Sequence, residues 1–406
     1  MEKKFKKSIL SKPQAFLIEP PAGLSQFCME ELKDLLQKRL YPSKYLEELT
    51  ETDKYIHLTN TDFRTAIEVV FRSRLCRDLW FVLGDRHVGS FGELERVVAK
   101  LPWELFSDSG AAFNVDVQSF QSKLYHEGKV RELVAQTLGA HGMKLSTAKD
   151  GLCLRLLQTK NRLQILLSLA GEKLYKRGFK PHTATKAPLQ ETLAAGLLWP
   201  LRHHKYNRVL VPFAGSGTLG FEAIMQLKGY WPGSLGRTFH VESFPGTPQS
   251  TVDFLKAKSP ITDPSSWDLA MDFIEMDLEQ VKELQSNSSA FRQQLMIEQD
   301  FNVICDDFFK LDVSFQASER VLMPLNPPYG LRLGHGSEAS YGFFARLAKR
   351  VLALSSKPQA LQGFCMLPDE KSYSLFRQII GGGYEQTVHI NQGGRHVRVL
   401  YFSWEK

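Results

Sequence analysis

The stretch with the most chemistry in this chain is Asn326-Pro327-Pro328-Tyr329, which follows the apolar run Val321–Leu325. Two consecutive prolines fix the backbone and leave carbonyl groups without neighbouring amide donors. Asn326 adds a side-chain carbonyl, and Tyr329 adds a flat ring with a hydroxyl. That set suits the exocyclic amine of a heteroaromatic base. The Asn326 oxygen and the Pro327 carbonyl can accept its two N–H bonds while the Tyr329 ring stacks on the base. The nitrogen lone pair is then drawn out of ring conjugation toward an electrophilic methyl group. Attack places positive charge on nitrogen, so preorganised acceptor dipoles serve the transition state better than a strong base would. A rigid structural turn is the bland alternative.

A second signal lies upstream, where an apolar strand runs into Pro212-Phe213-Ala214-Gly215-Ser216-Gly217-Thr218 and then a helix. Gly215 and Gly217 permit unusual backbone angles and close approach of a ligand, and the helix start offers unpaired N–H groups. Three ligands use such turns. A phosphate-binding P-loop needs G-x-x-x-x-G-K-[ST], and the lysine is absent. A dinucleotide turn needs G-x-G-x-x-G/A, which Gly215, Gly217 and Gly220 satisfy. The third is S-adenosylmethionine. Downstream, Ile274-Glu275-Met276-Asp277 sets a carboxylate where a ribose diol needs an acceptor, although Asp277 also reads as the N-cap of a helix Leu278–Leu284. Asp306-Asp307-Phe308-Phe309 follows another strand; a carboxylate there could accept from an adenine amino group beside a Phe ring, or merely cap a turn. The glycine turn, two carboxylates and N-P-P-Y, in that order, favour methyl transfer over a structural turn.

These residues need a frame to hold them. From Arg208 onward strands and helices alternate: strand Arg208–Val211, helix Thr218–Lys228, strand Asp272–Met276, helix Leu278–Leu284, strands Asn302–Cys305 and Val321–Leu325, helix Tyr341–Leu354, strand Gly363–Leu367, helix Glu370–Ile380 and a closing stretch His396–Trp404. The pattern predicts an α/β fold with a mainly parallel, doubly wound sheet and its ligand beyond the carboxyl ends of the strands. The preceding part reads as α+β: strand Ala15–Glu19, helix Leu24–Leu40, strand Tyr55–Leu58, helix Asp62–Val70, strand Phe113–Val117, helix Gly128–Leu138, a hairpin of Cys153–Leu157 and Leu163–Leu169, and later a helix Leu189–Leu201.

Composition bounds the rest. The chain has 406 residues, a net charge of +7, 43% hydrophobic and 23% charged residues. That describes a globular chain of two or three domains, not a fibrous or disordered one. Apolar runs such as Leu163–Ala170 and Leu193–Leu201 fall short of the ~20 residues that span a bilayer. The basic start Met1–Lys7 has no apolar run behind it, so no secretory signal is expected. Five scattered cysteines argue against a disulfide framework or cysteine-based zinc site and fit a reducing cytoplasm. No metal is expected, and the His203-His204 pair reads as surface. Near Lys173–Pro181, four basic residues crowd around Tyr175 and Phe179.

The ordered motifs resemble those of the THUMP-domain class of RNA methyltransferases, specifically the bacterial 23S rRNA guanine-N2 methyltransferases, whose members are often labelled N6-adenine-specific DNA methylases. The likeness runs over nearly the whole chain. Gly23-Leu24 with Glu30-Glu31-Leu32 resembles a ferredoxin-like element, and Phe113–Val117 with Ser122–His126 resembles a THUMP core. Ser168–Phe179 is similar to a basic exit segment, Ala187–Ala195 to the leading helix, and Asn326–Gly330 with Arg332-Leu333-Gly334 to a catalytic loop. The resemblance implies a ferredoxin-like element at 1–55, a THUMP RNA-binding domain at 56–172 and a Rossmann-like methyltransferase domain at 173–406. It implies S-adenosylmethionine as cofactor, cradled by Pro212, Phe213, Ala214, Gly215, Ser216, Gly217 and Thr218, with Asp277 on the ribose, Asp307 on the adenine and Asn326 also among the cofactor-binding residues. Catalysis would fall to Asn326, Pro327, Pro328 and Tyr329. Large-subunit ribosomal RNA, the expected partner, would meet Lys123, Lys129, Arg131, Lys173, Lys176, Arg177 and Lys180.

Three positions depart from the family pattern. Val211 stands where Asp normally precedes the glycine turn, Glu275 where Gly is usual and Leu331 where Glu is common. Glu242, in a Pro-, Gly- and Ser-rich insertion over Trp231–Trp267, is a candidate substitute for the missing acid. Two competing functions stay open: N6-adenine methylation of DNA or RNA, and a non-catalytic RNA-binding or ribosome-assembly role with a degenerate cofactor site.

Overall fold

The structure, a computed structural model, describes residues 12–146, 151–180, 189–259, 268–328, 338–392 and 395–406. Tyr329, Leu331, the Arg332-Leu333-Gly334 extension and Ala187-Pro188 lie outside the described residues. The chain divides into two units, neither continuous in sequence. One comprises Met1–Pro20, Cys28–Lys176 and Arg237–Ser259; the other comprises Pro21–Phe27, Arg177–Gly236 and Pro260–Lys406.

The first unit is built on an eight-stranded sheet in the order β2-β3-β1-β4-β8-β7-β5-β6. Its strands are β1 (Gln14–Glu19), β2 (Glu48–Glu51), β3 (Ile56–Thr61), β4 (Asp78–His87), β5 (Ala112–Phe120), β6 (Lys144–Leu145), β7 (Leu152–Thr159) and β8 (Arg162–Ser168). Its helices are α1 (Ser25–Gln37) from Cys28 onward, α2 (Phe63–Arg72), α3 (Phe91–Ala99) and α4 (Glu127–Ala140). Local chemistry sets several of these limits. Asp62 caps α2 by accepting the Arg64 N–H at 2.8 Å. Lys160 and Asn161 both take left-handed angles, φ 50° and 67°, as a tight hairpin turn between β7 and β8 requires. Phe113, Val115 and Val117 all face the core from β5, the period-two pattern of a half-buried strand. β5 and β7 run parallel, so they need the crossover that α4 provides.

The second unit begins with α5 (Glu191–Leu198), β9 (Arg208–Pro212) and α6 (Thr218–Lys228). The chain then rejoins the first unit through α7 (His240–Ser243) and α8 (Gln249–Lys258). There Phe239 packs edge-on to Phe71 at 5.0 Å, Phe244 packs against Phe106 at 5.8 Å, and Arg237 donates to the carbonyls of Lys173 and Lys176 at 2.8 and 2.6 Å.

The second unit resumes with β10 (Ala270–Glu275), α9 (Leu278–Leu295), β11 (Asn302–Cys305), β12 (Arg320–Leu325), α10 (Glu338–Ser355), β13 (Ala360–Leu367), α11 (Glu370–Ile380), β14 (Tyr384–Gln392) and β15 (Arg395–Glu405). Its sheet runs β11-β10-β9-β12-β13-β15-β14, parallel from β11 to β13, with β15 antiparallel between β13 and β14. Helices cover both faces. Val209 and Val211 of β9 enter one core, and Leu210 between them enters the other. Gly220 of α6 lies so close to the Phe273 ring of β10 that a side chain there would collide with it. Strand order reverses between β9 and β12, which opens a crevice at their carboxyl ends.

Candidate functional site

A cavity of about 870 Å³ occupies that crevice, walled by the segments that follow β9, β10, β11 and β12. The turn after β9 reverses sharply, with Phe213 at φ 57°, Gly215 at 53° and Gly217 at 90°. The two glycines serve different ends. A Cβ on Gly217 would stand 2.5 Å from the Phe221 ring and 2.6 Å from Leu284, so packing beneath the turn excludes one. A Cβ on Gly215 would meet only the Gln280 oxygen at 3.6 Å, because this residue faces the cavity. Phe213, Ala214, Ser216 and Thr218 line the cavity beside it, whereas Pro212 is held in the sheet opposite Ile274 and does not.

Asp277 and Asp307 each line the cavity and each cap a backbone turn. Asp277 lines the cavity and caps α9, accepting the N–H groups of Glu279 and Gln280 at 3.0 and 3.4 Å. Asp307 lines it and accepts the Phe309 N–H at 3.0 Å. Asn326, Pro327 and Pro328 close the side formed by β12. Phe213 meets Phe308, Phe309 and Phe343 at ring distances of 5.7 to 6.1 Å, giving an apolar wall suited to a flat heterocycle.

One residue of the site was read from sequence only as a departure. Glu275, at the tip of β10, accepts the Gly215 N–H through Oε2 at 2.9 Å and those of Met276 and Asp277 through Oε1 at 3.0 Å each. Its signal was the position: an acid at a strand end beside a glycine turn. Val211 is buried in the core. Glu242 is not at the cavity; it belongs to the first unit, where it accepts the Phe239 N–H at 2.7 Å and pairs with Lys256. Glu275, Asp277, Glu283, Asp306 and Asp307 make the lining strongly acidic, and Arg346 is its one cation among the described residues. Such a field favours a ligand carrying positive charge.

The basic segment corrects the sequence reading. Arg177 does not face solvent: its side chain and that of Glu222 are each 1% exposed and joined at 2.9 Å, so it is withdrawn from any phosphate. Lys180 binds Glu191 at 2.6 Å and the Thr218 hydroxyl at 3.0 Å. Lys173 sits between Glu19 at 2.6 Å and Asp78 at 3.2 Å. Burial pushes the Asp78 carboxyl up to about 6 although Lys173 opposes it. Glu19 is partly buried, which raises it, yet Lys173, Arg77 and Arg155 hold it below its ordinary value. Lys176 is exposed and pairs with Glu172 at 2.8 Å. Lys123, Lys129 and Arg131 are exposed on the first unit, Arg131 donating to the Val115 carbonyl at 3.2 Å. Among the described residues no helix is long and apolar enough to cross a membrane, and no three potential ligands gather as a metal site would need.

Residues 177–361 match a family model described as the RMKL-like methyltransferase domain. Among curated relatives, ribosomal RNA large subunit methyltransferase K/L of Cellvibrio japonicus is 30% identical over 189 residues, covering 44% of this chain and 25% of its own length. The protein of the same name from Magnetococcus marinus is 27% identical over 308 residues, covering 70% and 41%. The chain thus matches well under half the length of these relatives. Among solved structures, a methyltransferase in complex with SAH superposes with a TM-score of 0.76 at 18% identity, covering 97% of this chain and 99% of that one. TrmN from Thermus thermophilus superposes with a TM-score of 0.67 at 19% identity, covering 96% and 98%. At such identities these two neighbours share the fold. The family match spans the glycine turn, both strand-end carboxylates and the Asn-Pro-Pro segment, so residues 177–361, a little under half of the chain, are similar to the RMKL-like methyltransferase domain.

Proposed function

We propose that the protein transfers a methyl group from S-adenosylmethionine to the exocyclic N2 of a guanine in large-subunit ribosomal RNA, in the cytoplasm. The observation that carries this reading is the single cavity that gathers the Gly215 turn, Asp277, Asp307 and Asn326-Pro327-Pro328. Its donor set fits the cofactor. The acidic lining suits a sulfonium and an ammonium group, Asp277 suits a ribose diol, and the wall of Phe213, Phe308 and Phe309 suits an adenine ring beside Asp307. The neighbour that holds SAH shares the fold, which supports the same choice. The bound cofactor supplies an electrophilic methyl group.

The chain's own residues do the rest. The Asn326 side-chain oxygen and the Pro327 carbonyl accept the two N–H bonds of the guanine amine and orient its lone pair, and Tyr329 stacks on the base. Positive charge developing on nitrogen is met by acceptors already in place, so little reorganisation is needed at the moment of transfer, and the methylated nitrogen then gives up one of its two protons to solvent. The base must leave its stack to reach the cavity, as in other enzymes that act on nucleobases. The relatives named as ribosomal RNA large subunit methyltransferases support ribosomal RNA as substrate. The first unit, with exposed Lys123, Lys129, Arg131 and Lys176, would hold it by shape and charge.

The test is mass spectrometry of large-subunit rRNA from cells with and without the protein, and from cells carrying Asn326→Ala. N2-methylguanosine should fall in the deletion and not return with Asn326→Ala. A loss of N6-methyladenosine instead would select the adenine reading, and unchanged nucleosides would refute both.

A further inference from the structure

We infer that Arg346 is a phosphate clamp: it takes the backbone phosphate of the nucleotide whose base enters the cavity. The inference rests on the RNA methylation proposed above and adds where the substrate's backbone is held. Arg346 lies on α10, lines the cavity together with Asn326 and Pro328, and is exposed. Its guanidinium carbon stands 4.1 Å from the centre of the Phe309 ring. Among the described residues it makes no ion pair or hydrogen bond, so the ring orients it without engaging its N–H donors.

Charge decides what those donors are for. Five carboxylates line the same cavity, so a phosphate cannot follow its base inward. A base that enters must leave its phosphate at the rim, where Arg346 is the one cation among the described lining residues. A planar guanidinium held on one face presents a fork of donors that matches two phosphate oxygens. Arg350, one turn further along α10, shows the contrast. It lies over Phe308 at 5.5 Å and donates to the Leu311 carbonyl, which commits it to holding the helix.

The experiment uses the full chain, an rRNA fragment that the native protein methylates, and the variants Arg346→Ala and Arg346→Lys. Arg346→Ala should raise the RNA Kd and KM by roughly 5- to 10-fold and lower the slope of log Kd against log salt by about 0.7–1. The KM for S-adenosylmethionine should stay within about 2-fold. Arg346→Lys should restore the salt slope, because it restores the charge, but not the full affinity, because it lacks the fork. An unchanged salt slope with a raised cofactor KM would assign Arg346 to the cofactor and overturn the clamp, as would no change in either substrate's constants. If instead the native protein methylates no RNA, the underlying reading fails and the clamp fails with it.

Discussion

The carboxylate of Glu275 ties the tip of β10 to the glycine turn after β9, accepting the Gly215 N–H at 2.9 Å. Its other oxygen takes the two N–H groups that lead into α9. One side chain therefore fixes the two backbone segments on which the proposed cofactor would lie. Glu275→Ala should free the turn and weaken S-adenosylmethionine binding by about 10-fold, the loss expected for one charge-assisted hydrogen bond of roughly 1.5 kcal/mol. Calorimetry checks this, and a melting temperature near that of the native protein separates it from unfolding.

Gly215 and Gly217 should respond differently to the same change. Gly217→Ala drives a methyl into Phe221 and Leu284 at a left-handed position, so it should lower stability by about 2–4 kcal/mol. Gly215→Ala places its methyl in the cavity and should cost only the backbone strain, about 1–2 kcal/mol. Urea unfolding compares the two, and cofactor titration should show Gly215→Ala binding weakly while still folded.

Arg177 and Glu222 form a buried pair at 2.9 Å. Arg177→Ala takes the guanidinium away from the buried Glu222 carboxylate and should cost about 3–5 kcal/mol. The double variant Arg177→Met, Glu222→Leu removes both charges and should recover most of that loss. Denaturant midpoints of the two variants decide the matter; equal midpoints would contradict it.

Asp78 makes stability depend on pH in a direction unusual for a carboxylate. Burial raises it from 3.8 to about 6, so the folded state keeps its proton where the unfolded state has lost it. Its contribution is fully present below pH 3.8 and is lost as pH rises through about 6. Glu19, held low, acts in the opposite sense: its contribution is lost as pH falls. Denaturation of the native protein and Asp78→Asn from pH 4 to pH 7 should show the native protein losing ground to the variant as pH rises. A constant difference would contradict this.

The site strands were legible because each carries a local signature. Strand Asn302–Cys305 and helices Thr218–Lys228 and Glu370–Ile380 have the limits that sequence predicts, since glycines or cap residues mark their ends. Strands β4 and β14 were not legible. β4 runs from Asp78-Leu79-Trp80-Phe81-Val82 into polar residues with no alternation, and β14 is a largely polar strand at the edge of its sheet, paired with β15. The basic segment misled because a charge count sees no partners. Glu19 and Asp78 lie far from Lys173 along the chain, and Glu222 lies 45 residues from Arg177. Glu275 was visible as an oddity, but its purpose depends on a turn 60 residues away.

The excursion of Arg237–Ser259 into the first unit constrains how the protein can be made on the ribosome. Phe71 and Phe106 are covered by Phe239 and Phe244, which emerge well over a hundred residues later. Domains generally fold in order of synthesis, but here the N-terminal sheet waits for a stretch translated after the glycine turn of its neighbour. Neither unit is therefore a separable cassette, and a gene cut at Lys176 would release a first unit with two aromatic surfaces bare and prone to aggregation.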